Sequence, residues 1–127
     1  MTMSPQIPSI LARDAAAAAD PATAPDPAAR ALIVDVREAD EFARERIDGV
    51  ALLPISQFVV RHRELPKDRP LLIVCASGSR SASATMYLLQ AGWTDVRNVT
   101  GGMLGWRHAG LPIRTGPVEP GEGDLPA

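Results

Sequence analysis

Short apolar runs alternate with segments of helical character, and this alternation constrains the fold more than any other feature of the chain. Ala31 to Val36 (ALIVDV) is mostly apolar and rich in β-branched residues, so it reads as a buried strand. Glu38 to Arg46 is charged around the apolar anchor Phe42 and reads as a helix. Val50 to Leu53 is a second strand, stopped by Pro54, and Ser56 to Leu65 reads as a short helix with Ser56 as its cap. Leu71 to Val74 (LLIV), bounded by Pro70, is the strongest strand signal. Ser81 to Ala91 carries Ala82, Met86 and Leu89 at helical spacing, with Gly92 where a C-terminal cap belongs. Thr94 to Val99 reads as a strand, and Met103 to Ala109 as a last helix ended by Gly110 and Pro112. Strands alternating with helices predict an α/β domain whose parallel sheet is covered on both faces. Ligands of such sheets bind beyond the carboxyl ends of the strands, which directs attention to the residues after Val74.

The two ends of the chain differ from this middle. Residues 1–30 form an Ala/Pro-rich lead-in, in which Pro21, Pro25 and Pro27 forbid a long helix and Ala15 to Ala19 allow a turn or two. Residues 12–30 are expected to be mobile or loosely packed, while Ile7, Ile10 and Leu11 are placed to dock on the core. Residues 31–114 form the domain proper. Residues 115–127, with three glycines and three prolines, are expected as a flexible tail.

Composition narrows the function. The net charge is −2 and the basic residues are scattered, which argues against nucleic acid and against a polybasic membrane patch. No run approaches the ~20 apolar residues of a membrane span. The first residues lack a positively charged region before an apolar stretch, so a cytoplasmic location is expected. The single cysteine has no intramolecular disulfide partner, and two distant histidines supply no metal-ligand spacing, so neither a metal nor an organic cofactor is expected.

The chemistry is expected in the loop Cys75-Ala76-Ser77-Gly78-Ser79-Arg80, which runs straight into a helix. A thiol at the end of a buried strand is held rigidly. A run of small residues can curl so that successive N–H groups point into one concavity, and Gly78 supplies backbone angles that other residues avoid. The following helix adds free N–H groups and the positive end of its dipole. Together they favour the Cys75 thiolate and can hold an anion. Arg80 either faces that anion or pairs with a surface carboxylate. Ser77 and Ser79 donate hydroxyl hydrogen bonds or serve as small turn residues. The same spacing also describes the phosphate loops of cysteine phosphatases.

Three motifs in order make Ala31 to Arg114 resemble the rhodanese family. They are Asp35-Val36-Arg37-Glu38 with Glu41-Phe42, the six-residue loop Cys75 to Arg80, and Gly101-Gly102-Met103-Leu104-Gly105-Trp106 with Gly110-Leu111-Pro112. The resemblance implies a rhodanese-like fold, a central parallel sheet of about five strands flanked by helices on both faces. It also implies a double displacement. Cys75 takes a sulfane sulfur from thiosulfate or a persulfide and passes it to cyanide or a thiol, while the amides of Ala76, Ser77, Gly78, Ser79 and Arg80 bind the persulfide and the donor. An accepting partner protein is a further possibility the family allows, as is a non-enzymatic sulfur-carrier or binding module. A phosphatase or arsenate-handling enzyme is a third class, disfavoured because the related phosphatases use a longer loop.

The chain departs from the family at Glu45-Arg46-Ile47-Asp48-Gly49-Val50, where Arg46 and Asp48 replace a usual histidine and proline. It departs again at Ala76, a position often basic in members that use thiosulfate. Asp35 and Arg37 read as a structural ion pair or helix cap supporting the site's edge. Trp106 reads as core, and His62, His108 and Arg46 as solvated surface.

Overall fold

The computed structural model describes residues 6–126, and in it the apolar runs become strands of one fully parallel sheet. In chain order the elements are β1 (Ser9–Ile10), α1 (Ala12–Ala19), β2 (Leu32–Asp35), α2 (Ala39–Arg44), β3 (Ala51–Leu52), α3 (Ile55–Arg61), a 3-10 turn (His62–Glu64), β4 (Leu71–Val74), α4 (Ser79–Gln90), β5 (Val96–Val99) and α5 (Gly102–His108). The strand order is β1-β5-β4-β2-β3. From β2 the chain moves outward to β3, and from β4 it moves outward to β5, so the connections diverge between β2 and β4. In an open α/β sheet that divergence opens a crevice at the strands' carboxyl ends.

Both faces of the sheet are covered, which explains why β2 and β4 read as continuous apolar runs. Along β4, Leu71 and Ile73 pack in one cluster with Phe58 of α3 and Ala84 and Leu88 of α4. The alternating Leu72 and Val74 pack in the other with Ala12 and Ala15 of α1 and Met103 and Trp106 of α5. The two-residue alternation of a strand thus feeds two cores. Trp106 seals its cluster and donates its indole N–H to Pro112 O (2.8 Å).

Several expectations from the sequence are corrected. Residues 12–30, expected as loosely packed, carry α1 and are tied back by Ala31 N–H on Ala18 O (2.9 Å). Ahead of α1, Asn98 N–H donates to Pro8 O and Thr100 N–H to Ile10 O, which adds β1 as the fifth strand. Leu11, expected to dock, is 63% exposed. Ser56 does not cap α3. That helix begins one residue earlier, and the Ser56 hydroxyl and N–H donate to the Glu38 carboxylate (2.6 and 3.2 Å).

Residues 115–127 are expected as a flexible tail; Ala127 lies outside the described residues, and the rest is held on the domain, with Gly123 against β3. Leu52 N–H donates to Gly123 O (2.8 Å), and Leu125 packs on the core. Arg46, expected to be solvated, is fully buried beneath this segment, bound to the Glu122 carboxylate and to the carbonyls of Gly116 and Pro117. Proline and glycine forbid regular structure there, but an irregular strap can still be held by a buried guanidinium with several donors. His62 is likewise buried, packed among Phe58, Tyr87 and Trp93. Among the described residues no helix is long and apolar enough to cross a membrane.

Candidate active site

Cys75 is the first residue beyond β4, the central strand, and is 1% exposed. Three local features shape the loop around its sulfur. Gly78 lies at φ +109°, a conformation that L side chains rarely adopt, and it turns the chain from the loop into α4. That turn brings the Gly78 N–H onto Cys75 Sγ (3.1 Å). The N–H groups of Ser79, Arg80 and Ser81 precede the helix's own bonding, which begins with Ala82 N–H on Gly78 O (3.1 Å). The third feature comes from α5: Met103 N–H binds Cys75 O (2.8 Å) and Leu104 N–H binds Ala76 O (3.1 Å). The carbonyls of the first two loop peptides are thus fixed on α5, and the Ser77 N–H joins that of Gly78 at the sulfur.

This contact explains the glycine pair before α5. A Cβ on Gly102 would lie 2.3 Å from Cys75 O and 2.9 Å from both Ala76 C and Ala76 O, all backbone atoms. Only a residue without a side chain lets α5 approach the loop so closely.

The electrostatics favour the anionic sulfur. Burial pushes the Cys75 thiol up, but the hydrogen bonds that the Ser81 hydroxyl and the N–H groups of Ser81, Gly78 and Ser77 can donate to the thiolate outweigh it. The thiol therefore titrates below its ordinary value. Ser81, one residue past the expected loop, was not singled out by the sequence reading. Its hydroxyl lies 3.2 Å from Cys75 Sγ and bonds to Asn98 of β5. A hydroxyl one residue past a candidate loop is a signal the sequence does contain. Asn98 has no such local signal.

The structure places Arg80 away from the sulfur's immediate contacts. Its guanidinium binds the Glu41 carboxylate through two hydrogen bonds (2.7 and 2.8 Å). Arg80 holds Glu41 down at about 2, overcoming partial burial. Because this carboxylate's folded pKa is depressed, the bridge stabilises the fold above the ordinary value of 4.5. That contribution is lost as pH falls toward about 2. Glu41→Gln is therefore expected to flatten the acid limb of the stability curve between those pH values while changing it little in slope at neutral pH. Urea midpoints measured across the range check this. An unchanged acid limb would show that the pair contributes nothing.

Asp35 and Arg37 stand at the carboxyl end of β2, across the crevice. Arg37 donates to both Asp35 oxygens (2.8 Å at the shortest) and to the carbonyls of Glu41 and Glu45, and both side chains are buried. The pair joins the β2 end to α2, which in turn carries Glu41 to Arg80. Ser77 and Ser79 are exposed at the loop rim, and Ala76 contributes no charge. Among the described residues no cluster of His, Cys, Asp or Glu could hold a metal ion.

Known proteins resemble this chain in sequence and in fold. The sequence profile of the rhodanese-like domain matches residues 15–109. A sulfurtransferase of Allochromatium vinosum is 43% identical over 82 residues, covering 65% of this chain and 77% of that protein. The thiosulfate sulfurtransferase GlpE of Actinobacillus succinogenes is 33% identical over 85 residues, covering 67% of this chain and 77% of the relative. In three dimensions, a rhodanese-related protein of Thermoplasma volcanium superposes with a TM-score of 0.72 at 30% identity. The match covers 84% of this chain and 97% of that one. The profile runs from within α1 to the end of α5 and takes in strands β2 to β5 and the loop built around Cys75, and on that ground the chain belongs to the rhodanese-like domain family.

Proposed function

We propose that this protein is a sulfurtransferase that carries a sulfane sulfur on Cys75 as a persulfide. The observation that carries the reading is the Cys75 sulfur seated at the end of the central strand with the Gly78 N–H on it at 3.1 Å. In the first half-reaction the thiolate attacks the donor's sulfane sulfur, and the donor leaves with the bonding electron pair, as sulfite from thiosulfate or as a thiolate from an organic persulfide. In the second, a thiolate or cyanide attacks the outer sulfur, and Cys75 leaves as the thiolate. The loop amides stabilise negative charge on sulfur in both half-reactions. They are oriented before the reaction begins, because the carbonyls of Cys75 and Ala76 are already bound to α5.

The charged groups around the loop favour sulfur over phosphate. A phosphate-binding arginine would clamp two oxygens of the substrate, yet Arg80 has both its terminal nitrogens on Glu41. Asp35, the nearest buried carboxylate at the β2 end, is bound by Arg37 and is not free to act as a general acid. Ala76 places no cation on a dianionic donor, which favours a persulfide over thiosulfate as the working donor.

Intact-protein mass spectrometry tests the proposal. The expected result is a gain of one sulfur atom after incubation with an organic persulfide or with thiosulfate, and its complete removal by cyanide as thiocyanate. No gain with either donor would refute the sulfur-carrying role.

A further inference from the structure

We propose that Asn98, which does not touch the sulfur, is a positioning residue that governs the protonation of Cys75 by holding the Ser81 hydroxyl proton away from it. This rests on Cys75 being the nucleophile, as proposed above. The protonation itself can be measured without any sulfur transfer.

The argument follows from counting protons along a buried chain of three side chains. Asn98 is 9% exposed and Ser81 is fully buried. The Asn98 amide donates through Nδ2 to Gly78 O (3.2 Å), and since a carbonyl only accepts, this contact fixes which end of the amide is nitrogen. The other end, Oδ1, therefore faces Ser81 Oγ, and an amide oxygen cannot donate. The bond between them must use the Ser81 proton. A hydroxyl has one proton, so what Ser81 presents to Cys75 Sγ at 3.2 Å is a lone pair. In this arrangement the sulfur is a thiol donating S–H to Ser81.

Ionisation of Cys75 reverses the preference. A thiolate has no proton to give and needs a donor, and the Ser81 hydroxyl can become one only by turning from Asn98 Oδ1 to the sulfur. The buried Asn98 oxygen would then lose its partner. Asn98 thus competes with the thiolate for the Ser81 proton and limits the lowering that this hydroxyl can give, while the loop amides favour the thiolate without such competition. Asn98 also binds Gly78 O, in the residue whose N–H contacts the sulfur, so one side chain connects β5 to both the cradle and the proton.

No net charge nearby masks this effect. From α4, Arg80 faces the sulfur region but is paired with Glu41 of α2. From the end of β2, Asp35 is paired with Arg37. The first turn of α5, Gly102 to Leu104, brings no charged side chain, and β5 brings the neutral Asn98. With the surrounding charges paired off, the direction of one hydroxyl proton is the adjustable element.

The test is the apparent pKa of the chain's single cysteine, read from ultraviolet thiolate absorbance against pH. Asn98→Ala frees the Ser81 hydroxyl to serve the sulfur. It is expected to lower that pKa by about one unit, a roughly tenfold gain in thiolate fraction at acid pH. The gain is expected to vanish in Ser81→Ala/Asn98→Ala, because the effect passes through Ser81. A pKa that rises or stays put in Asn98→Ala, or a fall that survives loss of Ser81, would overturn the proposal. Asn98→Leu keeps the side chain's branched shape and carries the same expectation if the alanine variant loses its near-ultraviolet circular dichroism. The unaltered protein supplies an independent reading, since its one S–H stretch in the infrared is expected at the lowered frequency of a donating thiol. An unshifted band would refute the proposal even if no variant folds. Failure of sulfur transfer with these titrations as expected would instead count against the sulfurtransferase reading alone.

Discussion

Cys75→Ala is expected to yield a folded protein that forms no persulfide and produces thiocyanate no faster than buffer. The side chain removed is a single sulfur at a buried position, so the loss of packing is small, about 1 kcal/mol. Nothing structural depends on a disulfide, since the chain has no other cysteine. The Gly78 N–H that binds sulfur sits at the head of α4, where water can serve it in the variant. Thermal unfolding is therefore expected to shift by only a few degrees, while activity falls to the background. Thiocyanate formation above the buffer rate by the folded variant would mean that Cys75 is not the sulfur carrier. A chain that fails to fold would mean that the thiol has a structural role the packing does not show.

Gly102→Ala is expected to do the reverse, damaging the cradle without touching the reacting atom. Two terms add. A non-glycine residue at φ +56° costs about 1–2 kcal/mol. The new Cβ would sit 2.3 Å from the Cys75 carbonyl oxygen, and relieving such overlap costs about 1–3 kcal/mol more. The relief must come from moving α5 away from the loop, since the obstructing atoms are backbone. That movement breaks the Met103 and Leu104 bonds that fix the first two loop peptides on α5. Gly110→Ala is the internal control, because Gly110 also has positive φ (+70°) but open space where its Cβ would go. Gly102→Ala is expected to be the less stable of the two in urea and to lose sulfur transfer, whereas Gly110→Ala is expected to remain active. Equal midpoints for the two variants would show that the α5–loop contact yields easily.

How far each feature was legible in the sequence follows from how local it is. The strands β2 and β4 could be read because burial on both faces leaves only apolar residues in them, with Asp35 closing β2 as its ion-paired exception. The loop after Val74 was legible for the same reason. Its six residues are consecutive, and a glycine between small residues at a strand end limits what the backbone can do. The strand β1 was missed as a strand because two residues, Ser9 and Ile10, carry no periodicity, and only the free edge of β5 makes them one.

What the sequence by itself determined, then, was the α/β alternation and the strand-end loop that carries Cys75, the proposed nucleophile, both of them consequences of short-range chain geometry and of burial pattern. Only the tertiary structure decided which side chains serve that loop. Arg80 meets Glu41 across 39 residues, and Ser81 meets Asn98 across 17. Arg46 is buried by a carboxylate 76 residues away, which turns a proline- and glycine-rich end into a strap. An arginine, a serine or an asparagine has the same donors and acceptors whether it faces water, a carboxylate or a thiol. Its role is set by what the fold places within hydrogen-bond distance, and no pattern along the chain encodes that placement.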